Sequence, residues 1–230
     1  GGCLCSIDKN KMKNFTEYVN FILKHKINNI NTTPSFFNIL ASFNTKLKDI
    51  KYVHLGGEKV TYPMISRYNR ILSTNCNIYN GYGPCECTVG CLIYKLSKKE
   101  REGVYRSLNS VPIGKPTDDS HILILDEENN QVPIGSIGEI YVSGNSLGIG
   151  YVKNEDNIGR FIELDTYENK RFYKTGDLAR WLEDGNIEFI GRKDSQIKVN
   201  GFRIELSEID TILLKFDEII DAKTISIQLN

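Results

Sequence analysis

The spacing of apolar residues changes character partway along the chain, and that change limits the fold more than any single motif does. From Lys11 to about Leu92, helical and extended patterns alternate. Phe15, Val19, Ile22 and Leu23 recur at helical spacing. Ile30 to Thr33 is a short extended run closed by Pro34, after which Phe36, Phe37, Ile39 and Leu40 restart the helical period. Lys51 to Leu55 reads as a strand ending in Gly56-Gly57, and a helix follows near Thr61 with Pro63 in its first turn. Asn75 to Tyr79 is a further strand running into Asn80-Gly81. Strands alternating with helices predict βαβ units and a mostly parallel sheet.

From about Val111 to Ile190 the helical signals give way to strand, turn, strand. His121 to Leu125 precedes the polar turn Asp126 to Asn130, and Gly138 to Val142 and Phe172 to Lys174 are extended. Trp181-Leu182 and Ile187 to Ile190 flank Glu183-Asp184-Gly185-Asn186, a hairpin signal. A third pattern opens at Gly191-Arg192-Lys193-Asp194. It has a strand at Ile197 to Val199, a turn at Asn200-Gly201, a helix from about Leu206 to Lys215 capped by Ser207, and a strand at Thr224 to Leu229. The expected class is α/β. A parallel-rich αβ sheet region (1–95) is followed by a β-rich, barrel-like module (96–192) and the start of a small α+β unit (193–230).

Composition narrows the partners. With 29 basic and 29 acidic side chains the net charge is zero, so nothing favours nucleic acid or an anionic membrane. No apolar run reaches the ~20 residues of a spanning helix. The start, Gly1-Gly2-Cys3-Leu4, lacks both Met and a signal-peptide pattern. Six cysteines without a secretory signal read as reduced thiols of a cytoplasmic protein. Cys85-x-Cys87-x3-Cys91 lacks the paired spacing of a zinc site, and no structural metal is expected there.

Three polar motifs follow predicted strands. In Asn80-Gly81-Tyr82-Gly83-Pro84-Cys85-Glu86, glycines let a ligand approach the backbone while an aromatic ring and a carboxylate stand side by side. Tyr82 and Glu86 can stack on a flat ring and hold a hard cation; equally, they can be a strand-ending turn with a surface Glu. Asp177 in Tyr173-Lys174-Thr175-Gly176-Asp177-Leu178 can accept two ribose hydroxyls or simply form a turn. Arg192 can pin a sugar or phosphate, or lie in a solvated linker.

In order and separation these motifs resemble those of nonribosomal peptide synthetase adenylation domains, in the superfamily shared with acyl-CoA synthetases and luciferases. Asn80 to Glu86 resembles N-x-Y-G-P-T-E, and Val111 to Pro116 resembles V-P-I-G-x-P. Gly138 through Gly144, with Gly150-Tyr151, resembles G-E-L-x-x-x-G…G-Y, and Tyr173 to Leu178 resembles Y-K/R-T-G-D-L. Gly191 to Asp210 (GRKDSQIKVNGFRIELSEID) resembles the long signature near the end of such domains. The resemblance makes 1–192 the C-terminal half of a large adenylate-forming core, and 193–230 a hinge and the beginning of a truncated lid.

The resemblance also implies roles. Tyr82 stacks on adenine within a nucleotide site that includes Gly81, Gly83 and Cys85. Glu86 binds the Mg²⁺ that bridges ATP phosphates, Asp177 holds the ribose with Arg192 assisting, and Asp194 is the lid hinge. Gly201 lies near the channel for the phosphopantetheine of a peptidyl carrier protein. Asn31, His54, Gly56, Gly81, Val89 and Gly90 line the amino-acid pocket. The implied reaction converts an amino acid and ATP to aminoacyl-AMP and pyrophosphate, then passes the acyl group to the carrier thiol. Other modules of a synthetase are implied partners.

Departures from the pattern are Cys85 for Thr, Ile149 for Arg, Asn200 for Arg and Ser207 for Gly. A phosphate loop ending in P-K-G, an upstream Asp for the substrate ammonium and a lid lysine do not occur in these residues, so the 230-residue chain by itself is expected to be inactive. Alternative readings are an acyl- or aryl-CoA ligase, a D-alanine–carrier ligase, or a non-catalytic scaffold domain. Gln196 and Arg203-Ile204-Glu205-Leu206 favour the peptide-synthetase branch over acyl-CoA ligases, and retention of Glu86, Asp177 and Arg192 argues against the scaffold.

Overall fold

The structure, a computed structural model, describes residues 2–8, 14–104, 107–108, 110–118, 120–167, 170–193, 197–199, 202–204, 206–213, 216, 219, 222 and 224–227. Helix α1 (Phe15–Lys24) starts where the Asn14 side chain accepts from Thr16 N and Glu17 N. Strand β1 (Asn29–Thr32) leads to α2 (Pro34–Ser42), whose cap Thr33 accepts from Phe36 N and whose proline supplies the fixed φ of a first turn. Then come β2 (Tyr52–Gly56), α3 (Tyr62–Asn69), β3 (Asn77–Tyr82), β4 (Leu92–Lys95), α4 (Lys98–Arg101) and β5 (Lys115–Pro116). The five strands form one sheet in chain order; β1, β2 and β3 run parallel, and β4 and β5 run antiparallel. The parallel expectation therefore holds for the strands that alternate with helices.

Helices α1 to α3 bury their apolar faces in the first core. Phe37 is fully buried and meets Tyr68 edge-on at 4.8 Å, while Tyr68 O–H donates to Pro34 O at 3.0 Å. Strand β3 is longer than the sequence suggests. It runs through Asn80 and Gly81 instead of turning there, because Asn80 Nδ2 donates to Val111 O and Pro112 O and Gly81 pairs with Ile93. Side chains of Ile78, Asn80 and Tyr82 are buried, leaving Tyr79 and Gly81 on the opposite face.

The second sheet is antiparallel: β6 (Ser120–Leu125), β7 (Gly138–Gly144), β8 (Phe161–Leu164), β9 (Lys170–Trp181) and β10 (Ile187–Arg192). Its order is β10-β9-β7-β6, with β8 on β9. Register shifts between Glu139 and Tyr141 and between Phe189 and Gly191 bend the strands, and the sheet curls into a half-barrel. What reads in sequence as short pieces around Phe172 and Trp181 is one strand of 12 residues. Lys115–Pro116 belongs to the first sheet, so the second begins at Ser120.

A hairpin of β11 (Ile197–Val199) and β12 (Phe202–Ile204) precedes α5 (Leu206–Leu213). The helix already starts at Leu206, which puts Ser207 inside its first turn rather than at the cap. Thr224 to Ile227 form no strand, contrary to the expectation for 224–229. Among the described residues no helix is long and apolar enough to cross a membrane.

Candidate functional site

Two cavities, of about 500 and 560 Å³, meet where the C-terminal ends of the parallel strands face β9 and β10. Gly57, Gly81, Gly83, Asp177 and Arg192 line both. Parallel strands deliver their ends to one edge of the sheet, where loops free of ladder bonds can shape a crevice. Gly83 is glycine for a steric reason: a Cβ there would lie 2.4 Å from Val89 O.

Asp177 sits at the junction and is buried. Its cross-strand partner is Arg192, whose Nη1 donates to Asp177 Oδ1 at 2.9 Å and to Thr175 O at 2.8 Å. Tyr82 O–H donates to Asp177 Oδ2 at 2.5 Å. Burial, and then the Asp177 carboxylate, push the Tyr82 phenol well above its ordinary value, so it stays a donor. The pairing explains how a carboxylate can sit in a largely apolar crevice.

The first cavity has Tyr82 and Phe189 among its walls, rings tilted at 6.3 Å, with Val111 and Ile190 nearby. Its apolar walls and charged mouth suit a flat base attached to a polyhydroxyl group. Glu58 also lines it, accepting from Ser35 N at 2.9 Å and Ser35 Oγ at 2.8 Å. The second cavity gathers Asn31, His54, Gly56, Gly81, Val89 and Gly90, together with Cys85. His54 stacks on Tyr79 at 4.8 Å with the planes 7° apart, and burial lowers its pKa.

Glu86 lies in the short 3-10 turn Cys85–Cys87 and lines neither cavity; Tyr151 O–H donates to its Oε1. Cys85 is exposed, whereas Cys87 and Cys91 are buried; burial pushes the Cys91 thiol up to about 12 and raises Cys87 as well. Among the described residues no group of three or more His, Cys, Asp or Glu side chains can hold a metal, so a cation at Glu86 would need oxygens from its ligand. Asp194, Gln196 and Gly201 lie outside the described residues.

Reasoning from sequence assigns no role to Glu58, Tyr79, Tyr151 or Phe189. Tyr151 is visible within the Gly150-Tyr151 pair, and Phe189 at the end of the last hairpin strand, but neither carries a chemical signature apart from its neighbours.

A family model described as AMP-binding enzyme matches residues 1–152. Bacitracin synthase 1 of Bacillus licheniformis is 34% identical over 230 residues, which is 98% of this chain and 4% of that protein. Tyrocidine synthase 3 of Brevibacillus parabrevis is 34% identical over 208 residues, 90% of this chain and 3% of that protein. The solved structure of PA1221, an NRPS protein containing adenylation and PCP domains, superposes with a TM-score of 0.80 at 27% identity, covering 90% of this chain and 41% of that one. This chain therefore spans a small fraction of the curated relatives and under half of the solved protein.

Proposed function

This chain belongs to the AMP-binding enzyme family, as part of a nonribosomal peptide synthetase adenylation domain, and we propose that it helps to activate an amino acid as its adenylate. The observation that carries this reading is the pair of cavities meeting at Asp177 and Arg192. One accepts the nucleoside of ATP, with the base against Tyr82 and the ribose hydroxyls on Asp177. The other accepts the amino-acid side chain beside Asn31, His54, Gly56, Gly81, Val89 and Gly90. The junction then brings the substrate carboxylate to the α-phosphorus.

A carboxylate oxygen forms the new P–O bond, and the bond to pyrophosphate breaks. Holding both reactants in one crevice supplies much of the acceleration through orientation. The Arg192 guanidinium, paired with Asp177 at 2.9 Å, holds the carboxylate aimed at the ribose. Glu86 offers one hard oxygen to Mg²⁺, which would neutralise phosphate charge. In the second step a phosphopantetheine thiol of a carrier protein attacks the acyl carbon and AMP leaves. Gly201 beside the pantetheine channel, Asp194 as hinge, and 193–230 as the opening of a lid belong to this proposal. Cytoplasmic location and partnership with other synthetase modules belong to it as well.

The test is ATP–pyrophosphate exchange by the full-length protein carrying this chain, against a panel of amino acids and fatty acids. Exchange dependent on an amino acid, with nucleotide affinity reduced about a hundredfold in Asp177→Ala, is the expected result. Exchange driven by fatty acids alone, or nucleotide affinity untouched by Asp177→Ala, would reject it.

A further inference from the structure

The turn that carries Glu86 is gripped by a second loop, between β7 and β8, outside both cavities. Gly148 N donates to Glu86 O at 2.8 Å, and Thr88 Oγ1 donates to Ser146 O at 2.8 Å. A Cβ at position 148 would come within 3.1 Å of Glu86 O, so glycine permits the close approach. From this loop Tyr151 O–H donates to Glu86 Oε1, and its oxygen lies 3.4 Å from the Tyr173 hydroxyl.

Tyr151 is itself fixed on both sides. Its N donates to Asn157 Oδ1 at 2.7 Å, and Asn157 Nδ2 donates to Tyr151 O at 3.1 Å. Arg171 donates to Gly148 O at 2.9 Å and to Ile149 O at 2.5 Å, while its guanidinium lies 4.4 Å from the Phe161 ring centroid. Phe161 in turn meets Tyr151 edge-on at 5.7 Å. The flanking apolar side chains do not hold the loop down, since Ile149 is 98% and Val152 103% exposed. Its polar contacts do, and they converge on Tyr151 and the Glu86 turn.

We infer that Tyr151 is a positioning residue for Glu86, fixing the carboxylate in one rotamer before the metal–nucleotide complex arrives. The inference rests on the reading of Glu86 as the oxygen ligand of that complex. A glutamate has three torsions to freeze on binding, and a partner that freezes them beforehand removes that cost from the binding step. Hydrogen bonds to a metal's carboxylate ligand orient it in this way, and losing one weakens metal affinity by about tenfold or more.

The test uses the full-length protein carrying this chain, with Mn²⁺ as the spectroscopic probe and a non-hydrolysable ATP analogue, titrated by electron paramagnetic resonance. Tyr151→Phe should weaken Mn²⁺ binding about tenfold, and in exchange assays raise the KM for Mg²⁺ by more than it lowers kcat. Asn157→Ala, which loosens the Tyr151 backbone, should act in the same direction and by less. Should Tyr151→Phe fail to fold, by the thermal transition of the nucleotide-free protein, Asn157→Ala carries the test. Mn²⁺ affinity that falls in Glu86→Gln but is unchanged in both loop variants overturns the positioning role alone. Affinity unchanged in Glu86→Gln as well overturns the metal reading and this inference with it.

Discussion

Where the first sheet packs Phe37, Leu40, Val53, Ile65 and Ile78 against one another, the second encloses Glu139, Asp177 and Glu188 among its apolar residues. Each of those carboxylates has a cation. Glu139 faces Lys174 at 3.7 Å, Asp177 faces Arg192 at 2.9 Å, and Glu188 faces Arg180 at 2.7 Å. Among the described residues the first region has one comparable group, Glu100, and it takes its donors from Tyr62, Tyr94 and Ser97. The difference maps onto the site. Glycine-rich strand ends of the first sheet shape the space, and paired charges of the second give it polarity. Damage to the first region should therefore register as lost stability, and damage to the second as an unbalanced charge.

The largest effect is expected from Phe37→Ala. The ring is fully buried against Tyr68, and its removal leaves a cavity the helices cannot fill, at a cost of about 4 kcal/mol. Urea denaturation should show the loss, while nucleotide affinity of the molecules still folded stays at the parent value. A folded variant with impaired nucleotide binding would show that the first region contributes more than shape.

Next comes Arg180→Met, which takes the guanidinium from the fully buried Glu188. Removing one partner of a buried pair costs about 3 kcal/mol, since the remaining charge is still out of water. The double variant Arg180→Met with Glu188→Leu should recover most of that loss, because two apolar side chains of similar volume carry no desolvation cost. A double variant no more stable than the single one would mean that the pair matters for its shape instead of its charge.

The contrast between the regions also explains what the sequence made legible. Periodicity announced the elements of the first sheet because apolar spacing is set by burial on one face, and Val19, Ile22, Phe37 and Leu40 are buried as their spacing requires. It missed the end of β3, where a buried Asn80 finds backbone acceptors 31 and 32 residues away, a pairing no local window contains. Strand β9 looked like fragments for a related reason: Gly176 and Asp177 read as a turn, yet Gly176 N donates to the distant Glu139 carboxylate and the strand continues. At the site, Asn31, His54, Gly56, Gly81, Val89 and Gly90, which only the family resemblance groups together in the sequence, line one cavity. Tyr151 escaped because its significance lies 65 residues away in the chain, at Glu86.

The smallest effect expected is a test of whether the first region is as free of charge as its core suggests. Burial lowers the pKa of His54 from its ordinary 6.5, so the folded protein holds the ring neutral at a pH where the unfolded chain already protonates it. The resulting stability is fully present above 6.5 and is lost as the pH falls through that value toward the lower folded one, because the unfolded state then binds the extra proton. His54→Gln removes the titrating group, so its urea midpoint should decline less than the parent's between about pH 7 and about pH 5.5. Tyr79→Leu takes away the ring stacked on His54 at 4.8 Å and should move the slope in the same direction by opening the imidazole to water. Parallel midpoints for parent and His54→Gln would place that ring in solvent and leave Asn31 and the glycines as the walls that matter on this side of the cavity.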